Sequence, residues 1–140
     1  MAFTGNWACN TFKTGLMNGT FNFTSGTFYI ALYTNAATLD ATTTAYTSTG
    51  EVTDAGYSAQ ALTIAQVPTI GNSGNTAYIS FDNAVWNAAL TARGALIYLN
   101  DGATNPAVCV LDFGSDKTSG ATFTVQFPNP SNTSAIIRIA

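Results

Sequence analysis

The sequence contains no histidine and few charged residues. Only 8% of its 140 residues are charged, whereas soluble domains usually carry about 25%. The missing histidine excludes the Ser-His-Asp and Cys-His mechanisms and removes the commonest metal ligand. The two cysteines, Cys9 and Cys109, lie far apart and give a zinc site almost no ligands. We therefore expect a protein that is not an enzyme and that has no catalytic, cofactor-binding or metal-binding residues.

Positive charge is also scarce, and the chain as a whole has a net charge of −3. Nucleic-acid-binding proteins concentrate their basic residues, because phosphate contacts supply most of their affinity. No run of about 18 apolar residues is present, so no membrane-spanning helix is expected. The start "MAFTGNW" lacks the basic residues and apolar stretch of a signal peptide. The sequence therefore predicts no nucleic-acid partner and no membrane partner, and it favours two buried free cysteines over a disulfide.

Threonine, asparagine, serine and glycine take the place of the missing charge. Their short side chains lose little rotamer entropy when a partner covers them. A surface with few charges is also poorly protected against self-association. These features favour a chain that works inside an assembly. A length of 140 residues fits a single domain covering residues 1–140.

Residues 7–18 have the spacing of a short amphipathic helix. Ala8, Phe12 and Leu16 recur every fourth residue and would form one apolar face. Asn6 could cap the start of this helix, and Gly19 is a natural C-terminal stop. Residues 1–6 would then form an N-terminal arm.

After residue 19 the apolar period changes to two, which is typical of strands. Predicted strands cover residues 27–34, 59–70, 75–83, 91–100, 107–114, 121–128 and 134–140. Turns are predicted at 71–75 and 115–120, Pro68 is expected to end its strand, and one helical turn is expected near 42–46. The polar connection 35–58 is long for a compact domain. The pattern predicts an all-β antiparallel sandwich or barrel with one N-terminal helix.

The triplet Asp112-Phe113-Gly114 matches the magnesium-binding motif of protein kinases. The glycine-rich loop, strand lysine and catalytic loop of a kinase are missing, so we interpret the triplet as a chance match. Asp112 and Arg93 each lie at the end of an apolar strand, and an unpaired buried charge is costly. We predict a structural ion pair between Arg93 and Asp112, with Asp82 or Asp116 as alternative partners of Arg93.

Three long segments carry a resemblance to a known family. They are "FYIALYTNAATLDATTTAYTSTGEVTDAGY", "LTARGALIYLND" and "AVCVLDFGSDKTSGATFTVQFP". In their order and spacing they resemble small virion proteins of tailed bacteriophages, and the similarity runs from about Phe12 to Arg138. The family has no catalytic motif that could be transferred to this chain.

The resemblance implies a capsid decoration or cement protein with a jelly-roll-like β-sandwich. Such a protein would sit on the capsid surface of the virion, bind the major capsid protein and form a homo-oligomer, either a dimer or a trimer. The arm before Trp7 and the connection 35–58 are the candidate interface segments. The alternative is a tail, neck or fibre component that binds host glycans through exposed aromatic side chains.

Overall fold

A computed structural model describes residues 3–71 and 74–140, and this part of the chain is mostly β. The elements are β1 (Trp7–Ala8), α1 (Asn10–Asn18), β2 (Phe28–Tyr33), β3 (Gln60–Ala61), β4 (Ile64–Ile70), β5 (Ala77–Phe81), β6 (Ala84–Trp86), β7 (Thr91–Leu99), β8 (Ala107–Thr118), β9 (Phe123–Val125) and β10 (Ile137–Ile139). They form three sheets with the strand orders β1-β8-β7-β2-β3, β10-β5-β4 and β6-β9. All strand pairs are antiparallel. The predicted all-β class with one short N-terminal helix is confirmed.

One hydrophobic core joins the three sheets. Phe28 of the five-stranded sheet packs near Phe81 of the three-stranded sheet, with ring centroids 6.3 Å apart. Phe113 of the five-stranded sheet lies 6.3 Å from Phe123 of the two-stranded sheet. Phe23, in the segment between α1 and β2, stacks on Phe28 at 4.4 Å. The smaller sheets therefore cover one face of the large sheet, in a sandwich-like arrangement.

The connection 35–58 lies against the five-stranded sheet. It forms isolated bridges at Tyr33–Glu51 and Ala45–Pro106. The connection also buries three apolar side chains, those of Ala37, Leu39 and Val52. The prediction of a helical turn near 42–46 is wrong: a turn closed by the Thr43 N–H on the Asp40 carbonyl is followed by the isolated bridge of Ala45. The docked connection helps to bury β2 on both of its faces. This burial explains why the sequence of β2 is almost continuously apolar.

The predicted helix over 7–18 starts three residues too early. Trp7 and Ala8 instead pair with Val110 and Cys109 of β8, and α1 begins at Asn10. Asn6 is not the cap, because Cys9 occupies that position and makes no side-chain capping bond. Edge pairing with β8 therefore overrides the helical spacing of Ala8. The predicted stop at Gly19 is confirmed: its φ of 81° is left-handed, and its N–H donates to the Gly15 carbonyl.

Several strand boundaries also differ from the prediction. Residues 59–70 form two strands, and Pro68 lies inside β4 and does not end it. Proline is tolerated there because β4 is an edge strand with a register shift between Gln66 and Thr69. The predicted turn at 115–120 is wrong over its first part, since β8 continues to Thr118. Strand β6 was not predicted. The turn predicted at 71–75 falls partly outside the described residues.

Candidate functional site

The structure places Arg93 in direct contact with Asp112, through Nη1 and Oδ1. It is the only ion pair within residues 3–71 and 74–140, so neither Asp82 nor Asp116 is the partner of Arg93. Both side chains are mostly buried, each with 13% of its surface exposed. The attraction between the two charges and the hydrogen bond between them offset the free-energy cost of removing each group from water.

A large bulge in β8, with three more residues than the facing part of β7, explains why the pair forms here. Gly94 pairs with Asp112, but Ala92 pairs with Lys117, so extra residues of β8 loop out between these two register positions. Gly114 lies in this loop with a left-handed φ of 81°, a conformation that glycine adopts without steric cost. Its N–H donates to Asp112 Oδ1 at 2.8 Å. The Asp-Phe-Gly triplet is therefore a bulge motif in this protein.

The environment of Asp112 holds its pKa below the usual value. Desolvation, the largest influence, raises the pKa of this carboxyl, but several donors together outweigh it. These donors are the Arg93 side chain and the backbone N–H groups of Gly114 and Gly5. Asp112 is therefore an ionised structural group at neutral pH.

The N-terminal segment from Phe3 to Asn6 docks beside this pair. The Phe3 ring is buried, and the Arg93 guanidinium carbon lies 5.4 Å from the ring centroid. Asn6 Oδ1 accepts a hydrogen bond from the Asp112 N–H at 2.7 Å. A Cβ on Gly94 would come within 2.4 Å of the Phe3 ring, so the ring needs glycine at that position. Sequence reasoning missed Phe3, because one aromatic residue before the first periodic segment carries no pattern.

A second cluster fixes the connection 35–58 to the large sheet. The Glu51 carboxylate accepts hydrogen bonds from the Tyr46 hydroxyl at 2.6 Å and the Tyr57 hydroxyl at 2.7 Å. The Tyr57 hydroxyl in turn accepts from the Leu32 N–H at 2.8 Å. The hydrogen bond to Glu51, followed by desolvation, raises the pKa of Tyr46 to about 12. The sequence gives no signal for this cluster, because its members come from an aperiodic segment.

Six of the seven large apolar side chains that are exposed within the described residues lie on α1, β1, β4 and β10, and the seventh, Val85, lies on β6. Met17 is 86% exposed and Ile139 is 53% exposed, and Trp7 and Leu16 are also exposed. Ile139 aligns with Ala77, which aligns with the exposed Ile70 across the three-stranded sheet. We call this surface the apolar face and define it by six residues: Trp7, Leu16, Met17, Ile70, Ala77 and Ile139.

Two adjacent recesses open on the apolar face. The first, of about 350 Å³, lies between α1 and the three-stranded sheet, with Phe21, Pro68 and Tyr78 among its lining residues. The second, of about 390 Å³, lies between β10 and the strands β1 and β8. Four apolar residues line both recesses: Phe12, Leu16, Ile137 and Ile139.

The second recess also contains two of the four cations of the chain, Lys13 and Arg138. Lys13 Nζ donates to Asn10 Oδ1 at 3.3 Å, and Arg138 donates to the Thr133 carbonyl. Within the described ranges, neither cation has a carboxylate oxygen within 4.0 Å. No Asp or Glu is among the described residues that line this recess. The recess is therefore apolar and positively charged, in a protein whose net charge is negative.

The remaining aromatic and sulfur groups lie mainly in the interior. Trp86 is buried, and its indole N–H donates to the Ser58 carbonyl at 2.7 Å. Cys9 and Cys109 are buried free thiols. Burial raises their pKa values to about 11 and about 12, respectively. In the part of the chain that the structure describes, no cluster of three or more Asp, Glu, Cys or His side chains could hold a metal.

The described residues contain no helix with the length and hydropathy needed to cross a membrane. Comparisons of this chain with protein-family models, with curated proteins and with solved structures find no match.

Proposed function

We propose that this chain is a non-enzymatic structural protein of a tailed-phage virion, and that it decorates the outside of the capsid shell. In this role it stabilises contacts between neighbouring copies of the major capsid protein. The observation that carries the proposal is the apolar face, with its two recesses and its exposed Trp7, Met17 and Ile139. Exposed apolar residues grouped around surface recesses are typical of protein–protein contact sites.

The composition supports the same role. A decoration protein needs contact area and shape complementarity, and a standard interface buries about 1,600 Å² in total. Short hydroxyl and amide side chains supply hydrogen bonds at a low entropic cost. A modest stabilisation per copy is then multiplied over the many equivalent positions of a shell. We further propose that the sandwich-like stack is of the jelly-roll type, and that the protein binds the shell as a dimer or trimer.

A reconstitution experiment tests the proposal. Shells assembled from the major capsid protein of the phage that encodes this chain are mixed with purified protein, separated by sedimentation and imaged. We expect saturable binding at regular positions on the outer surface. Failure to sediment with shells, together with binding to purified tails from the same particle, would replace the capsid by the tail as the binding partner.

The alternative is a glycan-binding tail, neck or fibre component, and one observation favours it. Trp7 is exposed at the rim of the second recess, where a sugar ring could stack on the indole. A sugar-binding platform commonly uses two or three exposed aromatic side chains, whereas the other tryptophan, Trp86, is buried. The capsid role is therefore the stronger proposal, and binding of the protein to a host-glycan array would reverse this preference.

A further inference from the structure

We propose that the second recess binds an extended segment of the major capsid protein, one that combines apolar side chains with at least one carboxylate. This inference rests on the proposed function and specifies which part of the shell this surface contacts. The segment would lie between β1 and β10, along α1.

Two of the three strands that border the recess, β1 and β10, are sheet edges. β1 is the outermost strand of the five-stranded sheet, and β10 is the outermost strand of the three-stranded sheet. An edge strand presents backbone N–H and C=O groups that have no partner within the sheet. An extended chain placed alongside such an edge can complete these hydrogen bonds, as in β-strand addition. The recess therefore favours an extended peptide over a folded surface or a helix.

The dimensions of the edges limit the length of the segment. β1 has two residues and β10 has three. With edges this short, the paired part of the ligand would be roughly three to five residues long, at a rise of about 3.3 Å per residue. Alternate side chains of such a segment would point towards the apolar lining formed by Phe12, Leu16 and Ile137.

The charge of the recess indicates the chemistry of the ligand. A purely apolar segment would take Lys13 and Arg138 partly out of water without giving them a partner, which is unfavourable. A segment with a carboxylate near its apolar side chains would pair with these cations as it binds. Charge complementarity therefore favours an acidic, apolar segment.

The same cations argue against a second copy of this chain as the occupant. A twofold contact would bring the same surface of each copy together, because such an interface is self-complementary. Lys13 and Arg138 of both copies would then approach each other, and the described lining supplies no carboxylate to separate them. Like charges across an interface disfavour the contact.

The test uses shells of the major capsid protein and two variants of the full chain. Ile139→Asp places a carboxylate on the apolar lining, and the double variant Lys13→Glu/Arg138→Glu reverses the charge of the recess. All three residues are exposed, so these changes should leave the fold intact. We expect each variant to lose at least about tenfold in affinity for shells.

Two matched variants control for nonspecific effects. Val85→Asp changes another exposed apolar residue, on β6, and Lys117→Glu reverses an exposed cation on β8. Neither residue lines the second recess. We expect both controls to bind shells within about twofold of the wild type. Circular dichroism melting curves verify that all of the variants are folded.

Hydrogen exchange on the wild-type protein gives a second readout that needs no substitution. Shell binding should slow amide exchange in β1 and β10 and leave exchange in β6 and β9 unchanged. If the wild type binds shells while the recess variants bind equally well and β10 is not protected, this inference is wrong and the capsid role stands. If the wild type does not bind shells, the proposed function itself fails. If the recess variants change only self-association, the occupant is a second copy and the inference is again wrong.

Discussion

Asp112 holds three groups in place around the bulge of β8. Its carboxylate binds the Arg93 side chain and the N–H of Gly114, while its own N–H donates to Asn6. A pair of charges so close to the core stabilises the fold only while both partners are present. The pair thus acts as a structural joint between the bulge and the N-terminal segment.

Replacing Asp112 with asparagine should therefore destabilise the protein. The amide oxygen can still accept from Gly114, but the mostly buried Arg93 loses its counter-charge. We expect the free energy of unfolding to fall by about 1–3 kcal/mol. Asp116→Asn is the matched control, because Asp116 is exposed and forms no ion pair in the described chain, and it should change stability by less than about 0.5 kcal/mol. Urea unfolding of both variants measures the difference.

The lowered pKa of Asp112 gives this difference a defined pH dependence. A carboxyl whose pKa is lower in the folded state than in the unfolded state contributes stability above its unfolded pKa, which is about 3.9. That contribution is lost as the pH falls through the folded pKa. The stability gap between the wild type and Asp112→Asn should be constant from pH 7 to about pH 5 and shrink below about pH 4. A gap that stays constant down to pH 2 would contradict the lowered pKa.

The β8 bulge depends on backbone conformation as well as charge. Gly114 has a φ of 81°, and a left-handed conformation costs other residues about 1–2 kcal/mol. We expect Gly114→Ala to destabilise the protein by about that amount. Gly120→Ala is the control, since Gly120 lacks a left-handed φ and has open space at its Cβ position. Equal thermal stability of the two variants would show that the bulge does not need glycine.

The connection 35–58 offers a separate prediction at the level of an element. The Tyr57 hydroxyl bridges Glu51 and the Leu32 N–H, whereas among the described residues the Tyr46 hydroxyl bonds only Glu51. Tyr57→Phe leaves a buried backbone donor without a partner, so it should cost about 1–3 kcal/mol, and Tyr46→Phe about 0.5–1.5 kcal/mol.

Tyr78→Phe is the control for this pair of variants, because the Tyr78 hydroxyl makes no hydrogen bond in the described residues. Its unfolding free energy should match that of the wild type. Hydrogen exchange at Leu32 should be accelerated in Tyr57→Phe alone. If Tyr46→Phe were the more destabilising variant, the bridging role of Tyr57 would be wrong.

Local periodicity predicted the elements whose environment is uniform along their length. β2 and β7 were recognisable from alternating apolar residues, and the left-handed stop at Gly19 from its residue type. Elements fixed by distant partners were not recognisable. Trp7 and Ala8 continue a helical spacing but pair with β8, and β6 has only three residues. In each case a contact far away in sequence decides the structure, and the local pattern does not contain that contact.

The same distinction applies to the molecule as a whole. Scarcity of charge and the strand-end positions of both residues predicted a pair between Arg93 and Asp112, with Asp82 and Asp116 as alternatives, and the structure selects Asp112. Two other features form where segments distant in the sequence come together: the contact of Phe3 with Arg93, and the apolar face along α1 and β10. No residue spacing in the sequence predicts which segments come together. Tertiary packing therefore determines the candidate binding surface more than it determines the positions of the strands.

The proposed capsid role predicts how the whole protein changes shell stability. A protein that binds intact shells and not their dissociated subunits stabilises the shells by mass action, by about 2.7 kcal/mol per site at a hundredfold excess over its Kd. The temperature at which shells disrupt should therefore rise with protein concentration, and it should be measurable by light scattering. Ile139→Asp should shift this curve to higher concentration, whereas Val85→Asp should follow the wild type. A disruption temperature that stays constant at saturating occupancy would mean that the protein binds the shell without reinforcing it, because any preference for the intact shell must appear as added stability.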